Sequence, residues 1–273
     1  NEFKTATTEK YISLSKRSLT EHPDLIIWPE SALPFYYGYD QTLSDQVNRF
    51  IQKANTHFLI GSPAFEIRDE QIRYFNRAYM LNPFSIVTGV YDKNHLVPFG
   101  EYVPFEKYLS FLGKMVAQVS DFSAGDADFI PLKFKDHCSG IIICFEILFP
   151  HITSEFVKNG AELLIVLTND AWFGKTAAPY QHFSLSVFRA VESRRAIARA
   201  ANTGISGFIG PSGKILEKTE IFKDAAITRQ IPALSLLSFY TQFGDIFAIS
   251  AIILFCFGFI ALTSFSYYRF SDN

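Results

Sequence analysis

The amino-acid sequence predicts an α/β fold followed by a single long apolar helix. Strand-like and helix-like stretches alternate up to residue 233, which implies sheets covered by helices. Residues 246–268 then pass without a charged side chain. A third observation bears on chemistry: three apolar runs end in a carboxylate, an ammonium and a thiol, at Glu30, Lys93 and Cys144.

The elements can be justified in chain order. The opening stretch NEFKTATTEKYISLSKRSL reads as a helix, and DLIIWPE as a short strand ending in a carboxylate. Residues 40–55 place Leu43, Val47, Phe50 and Ile51 on one face of an amphipathic helix. HFLIGSP is a strand, and RYFNRAYML and FSIVTGVYDK form a β-hairpin joined at an Asn-Pro turn. CSGIIICFE reads as a strand with Cys138 at its start and Cys144 at its end. On a strand that continues, Glu146 faces the same side as Cys144. FPHITSEFVKNG is a helix closed by Gly160, AELLIVLTND a strand, and residues 180–199 one long helix. ISGFIGPSGKILEKT is a hairpin around Pro-Ser-Gly.

Composition narrows the classes. The chain is 48% hydrophobic and 19% charged, against a usual charged share of about 25%, and the shortfall lies in its C-terminal stretch. A net charge of −2 without any Lys/Arg block excludes an evident nucleic-acid partner. Three cysteines, an odd count, argue against a disulfide framework. The six histidines lack metal-ligand spacing. The first residue is Asn1 and no signal-peptide pattern follows, so the sequence is expected to be the later part of a longer chain.

At about 1.5 Å per residue, the run over 246–268 is long enough for a hydrocarbon core of roughly 30 Å. Asp245 and Arg269 bracket it, Tyr240, Tyr267 and Tyr268 suit its interfaces, and Cys256 within it is an apolar filler. The flanking charge bias is too small to orient it.

Reactive groups at strand ends open onto a shared crevice in α/β folds. A thiolate there can attack a carbonyl, with a carboxylate taking its proton and an ammonium stabilising the oxyanion. Cys138 stands at the opposite strand end and reads as structural. His182, in PYQHF, reads as structural rather than as a base.

The wording around these residues resembles the nitrilase superfamily, which uses Glu, Lys and Cys in this chain order. LIIWPESALP, YDKNHLVPFGEYVPF, IIICFEILFP and LTNDAWFGKTAAPYQHF resemble its apolipoprotein N-acyltransferase branch. The resemblance implies a four-layer α-β-β-α sandwich with one C-terminal transmembrane helix. The domains expected from it are a catalytic unit over 1–233, a juxtamembrane segment over 234–245, the span over 246–268 and a tail over 269–273. It implies that Glu30 is the general base, Lys93 the oxyanion stabiliser and Cys144 the nucleophile, with Glu101 and Glu146 as supporting carboxylates near Lys93. Where many members carry Tyr after the nucleophile, this chain has Phe145 and lacks that hydroxyl.

The same resemblance implies no cofactor. It implies a phospholipid acyl donor, a Cys144 thioester, and as acceptor the N-terminal amine of a diacylglyceryl-modified apolipoprotein. The expected setting is the bilayer of a bacterial inner membrane, with the catalytic unit periplasmic and monomeric. Full-length members carry a multi-helix membrane domain ahead of this unit and open the unit with a strand that is missing here. The apolar stretch over 102–123 is expected to be either a lipid-dipping loop or an ordinary amphipathic helix. Trp172 and Phe173 are expected to line an acyl pocket or to sit at the interface. Two rivals use the same residues differently: a membrane-tethered amidase or nitrile hydrolase, and a catalytically dead binding scaffold.

Overall fold

The computed structural model describes residues 2–68, 70–103 and 122–271, with side chains described as far as Leu262 except at position 68. Two sheets lie face to face between two helical layers. The first holds β1 (Leu25–Ile27), β2 (His57–Arg68), β3 (Gln71–Leu81) and β4 (Val87–Asp92), side by side in that order. β1 runs parallel to β2, and the next two pairings are antiparallel. The second sheet holds β5 (Leu132–Phe134), β6 (His137–Ile143), β7 (Leu163–Asn169), β8 (Ile197–Asn202), β9 (Gly207–Ile209) and β10 (Ile215–Lys218), again in order. Its central strands β6, β7 and β8 are parallel and its outer pairings antiparallel.

Strand alternation divides the core. On β2, Phe58 and Ile60 turn toward α1 (Glu2–Ser18) and α2 (Gln41–Ala54), while Leu59 turns toward the second sheet. On β3, Phe75, Tyr79 and Leu81 face the helices, and Ala78 and Met80 face the second sheet. The predicted apolar face of α2 is buried as a whole, and Asp40 caps the helix by accepting from Leu43 N at 3.3 Å. Trp28 seals this layer, with its ring 5.4 Å from Tyr11 and Nε1 donating to Ser15. α3 (Pro150–Lys158) and α4 (Ala178–Ser193) cover the far side of the second sheet. Gly140 lets α3 approach, since a Cβ there would lie 2.7 Å from Phe156 Cβ.

Three expectations need correction. β6 stops at Ile143, and Cys144–Leu148 form a 3-10 turn, so neither Cys144 nor Glu146 lies on a continuing strand. The helix expected over 180–199 ends at Ser193, where Arg194 takes a left-handed cap, and Ile197–Asn202 become β8 at the sheet centre. Burial between sheet neighbours outweighs the helix propensity of the Ala and Arg residues there. β2 also runs farther than HFLIGSP and pairs with β3 along its whole length.

After β10 the chain returns across the second sheet's helical side. Leu234 N donates to Glu162 O, Arg195 donates to Leu236 O at 2.7 Å, and Ser238 Oγ donates to Glu192 O. Then come α5 (Phe239–Phe243) and α6 (Ile246–Ser271). Phe247, Leu254, Phe255 and Phe257 on α6 are exposed. Among the described residues no helix is long and apolar enough to cross a membrane. The side chains of α6 are described only to Leu262, short of the expected span's end at residue 268. Most of the stretch 102–123 lies outside the described residues.

Gly61 on β2 packs against the turn that carries Glu30. A Cβ there would lie 2.8 Å from Glu30 Cα and closer still to the Pro29 carbonyl oxygen. Gly61→Ala is therefore expected to lower the unfolding free energy by about 1–3 kcal/mol, read as a fall in the denaturant midpoint.

Candidate functional site

Four strand ends meet where the two sheets face each other. Glu30 follows β1, Lys93 directly follows β4, Cys144 directly follows β6, and Asn169 ends β7. Lys93 is 1% exposed and Glu30 5%, so their charges need partners. Lys93 Nζ lies 2.8 Å from Glu101 Oε1 and 3.6 Å from Glu30 Oε1. Asn76, on β3, donates from Nδ2 to Glu30 Oε1 at 2.7 Å and to Glu101 Oε1 at 3.4 Å. Glu30 Oε2 accepts from Asn169 N at 2.7 Å. Glu101 Oε2 accepts from Val97 N, which closes its own loop.

The ladder sets this arrangement. Arg77 pairs with Asp92 across β3 and β4, and its guanidinium binds both Asp92 oxygens at 2.7 Å. That locks the register one residue away, where Lys93 N donates to Asn76 O. Side chains alternate, so fixing Arg77 and Asp92 on one face fixes Asn76 and Lys93 on the other.

Cys144 opens the turn after β6 with φ +52°, a left-handed conformation that non-glycine residues rarely hold. The residue keeps partial exposure, while its thiol is closely surrounded. Burial, reinforced by the charge of Glu30, pushes the thiol up to about 12 despite the opposing pull of Lys93 and Thr168. Desolvation acts to lower the Lys93 ammonium, but Glu30, Cys144 and Glu101 outweigh it and hold it above the ordinary lysine range. Lysine, carboxylates and thiol thus lie close enough to act on one another's charge.

A family model described as carbon-nitrogen hydrolase matches residues 4–236. The chain belongs to this family. It is 43% identical to an apolipoprotein N-acyltransferase of Geobacter metallireducens over 90% of its own length and 47% of the relative's. It is 31% identical to one of Chlorobaculum tepidum, over 88% of this chain and 49% of that one. The chain thus spans about half the length of these relatives. A carbon-nitrogen hydrolase from Helicobacter pylori shares the fold with TM-score 0.60 at 19% identity, over 80% of each chain. An amidase from Nesterenkonia sp. does so with TM-score 0.61 at 18% identity, over 88% of this chain and 87% of that one. The four-layer nitrilase-like fold of this family member agrees with the expectation from its sequence.

The structure brings Glu30, Lys93, Cys144 and Glu101 together. Glu146 does not touch Lys93. It is fully buried and ties the Cys144 turn to β4: Oε1 accepts from Tyr91 OH, Asn94 N and His95 N, and Oε2 from Ile143 N at 2.7 Å. Phe145 packs beside His95 and Phe149, with ring centroids 5.9 Å and 5.3 Å away. Trp172 stands 86% exposed on the 3-10 turn after β7, and Phe173 lies edge-on to His182. Cys138 sits at the far end of β6, with its backbone N–H bound to Glu162. Asn76 was not singled out from sequence, although it has the strand parity of Ala78 and Met80, both directed into the core.

Two outcomes follow. Asn76→Ala removes the donor shared by Glu30 and Glu101, and is expected to cost about 1–3 kcal/mol of stability, measured by chemical unfolding. Burial pushes Glu146 up to about 7 from an ordinary 4.5, against the pull of Ile143 N, His95 N and Tyr91. The folded chain therefore holds that proton more tightly than the unfolded one. Its contribution to stability is full below about 4.5 and is lost as pH rises toward 7. In Glu146→Gln, the slope of stability against pH in this window is expected to flatten.

Proposed function

We propose that this chain is the catalytic part of an apolipoprotein N-acyltransferase, with Cys144 as nucleophile, Glu30 as general base and Lys93 as oxyanion stabiliser. One observation carries the reading: a strand-end thiol in a left-handed turn shares a buried pocket of charge with Glu30, Lys93 and Glu101. A thiol held near 12 is protonated at neutral pH, so attack requires a base in place, and Glu30 is the carboxylate whose charge acts on it most.

In the first half-reaction Glu30 takes the Sγ proton as sulfur bonds to the ester carbonyl carbon of a phospholipid. Lys93 faces the oxyanion. The ester C–O bond breaks, the proton passes from Glu30 to the leaving oxygen, and a lysophospholipid departs from a Cys144 thioester. In the second, the α-amine of the diacylglyceryl cysteine attacks the thioester. Glu30 takes a proton from the amine, the C–S bond breaks, and the proton returns to sulfur, leaving an amide. Glu101 supports Lys93, and Glu146 holds the nucleophile's turn. Phe145 and the exposed Trp172 and Phe173 offer apolar surface to acyl chains.

The lipid substrates are supported by the relatives' names and by α6, whose exposed apolar surface favours a bilayer. The reading extends to a catalytic unit over 1–233, a juxtamembrane segment over 234–245, a transmembrane helix over 246–268 and a tail over 269–273. It places the unit on the periplasmic side of a bacterial inner membrane.

The test is mass spectrometry of the full-length protein after incubation with phospholipid. A fatty acyl adduct is expected on Cys144, discharged by addition of a diacylglyceryl peptide. Cys144→Ala should carry none, and Glu30→Gln should acylate at least 100-fold more slowly. Acyl transfer at an undiminished rate by Cys144→Ala would sink the proposal.

A further inference from the structure

A buried charge cluster lies against Cys144, and the steps above leave it unused. His182 on α4 is 6% exposed, Asp170 1% and Arg199 3%. His182 Nε2 lies 3.1 Å from the Cys144 carbonyl oxygen, and Nδ1 lies 2.8 Å from Asp170 Oδ1. The carbonyl oxygen only accepts, so Nε2 carries a hydrogen and donates to the nucleophile's backbone, while Nδ1 lies between Asp170 Oδ1 and the Arg199 guanidinium, whose Nη2 is 3.1 Å away. Arg199 donates to Asp170 Oδ2 at 3.1 Å, and Thr168 Oγ1 donates to Oδ1 at 3.0 Å. Burial alone would raise the Asp170 carboxyl, but His182 and Arg199 hold it below the usual range. Gly204 closes over Asp170 with no room for a Cβ.

The cluster meets a need set by Cys144. A left-handed non-glycine residue persists only where its surroundings over-determine it. One side of the turn is pinned by Glu146, which accepts from Ile143 N. The other side, the Cys144 carbonyl, is bound by His182. We propose that His182, oriented by Asp170 and Arg199, is a positioning residue: its bond to the Cys144 carbonyl fixes the backbone that presents the thiol to Glu30 and Lys93. Phe173 covers the ring edge-on, which links the exposed turn carrying Trp172 to the same support.

This inference rests on Cys144 as nucleophile, so its test uses two readouts on the full-length protein. The first is the rate of Cys144 acylation by phospholipid, per folded molecule, with its KM and limiting rate. The second is alkylation of Cys144 by iodoacetamide, which reports how the thiol is presented without any acyl donor. His182→Ala is expected to acylate about 100-fold more slowly with little change in KM, and to alkylate about tenfold more slowly. His182→Gln, whose amide can donate to the same carbonyl, should recover most of both. Asp170→Asn, which keeps His182 but weakens its orientation, should fall between.

Wild-type acylation and alkylation rates in His182→Ala would overturn the inference, as would equal slowing in His182→Ala and His182→Gln. If His182→Ala does not fold, His182→Gln and Asp170→Asn decide. An Asp170→Asn protein as fast as wild type would then count against it. Absence of any adduct on the wild-type protein would defeat the nucleophile reading instead, and the alkylation series would still judge the role of His182.

Discussion

A buried ammonium is tolerated only when its charge is matched, and Lys93 imposes that condition on everything near it. Glu101 meets it at 2.8 Å and Glu30 at 3.6 Å. Bringing two carboxylates to one lysine creates a second problem, because they repel each other. Asn76 relieves it by donating to both. Removing one partner from such a set typically costs about 3–5 kcal/mol. That is a large share of the roughly 5–15 kcal/mol that holds a domain together. The charged centre is thus part of the fold's stability as well as a candidate for its chemistry.

The two-sheet architecture is what allows these groups to meet. Glu30, Asn76 and Lys93 come from the first sheet, Cys144 and Asn169 from the second. Contacts cross between them: Asn169 N reaches Glu30, while Glu146 reaches back to Tyr91, Asn94 and His95 at the end of β4. Leu59, Ala78 and Met80 share one core with Ile141, Ile143 and Ile165, which lie on the facing side of the second sheet. The apolar interface sets the distance between the sheets, and the polar contacts at its edge set their lateral alignment.

Much of this was legible in the sequence because the informative residues sit at the ends of apolar runs. Glu30, Lys93 and Cys144 each close one, and the words around Glu101 and Glu146 are distinctive. Asn76 escaped notice because it lies mid-strand, where a polar residue looks like an outward-facing one until the strand's parity is known. His182 was read as structural; its contact with the Cys144 carbonyl depends on a turn that replaces the expected strand. The same turn shapes the part taken by Glu146, which is buried near enough to Lys93 to feel its charge but directs its oxygens to backbone N–H groups and the Tyr91 hydroxyl. β8 was missed because IARAAN is built largely from good helix formers, and only its place between β7 and β9 makes it a strand.

The pairing of β2 with β3 bears on which changes of length the chain can absorb. The ladder runs unbroken from Arg68 opposite Gln71 to Phe58 opposite Leu81, with Asn76 opposite Pro63. The outer end of β3 is exposed and its inner end buried. Lengthening the hairpin symmetrically at its tip leaves Asn76 opposite Pro63 and alters only solvent-facing surface. A single residue gained or lost between Asn76 and Leu81 would exchange Asn76 for a neighbour of opposite parity, bringing the Arg77 guanidinium or the Phe75 ring toward Lys93. Drift in loop length among descendants of this sequence is therefore channelled to one end of the hairpin, and the other end is closed to it.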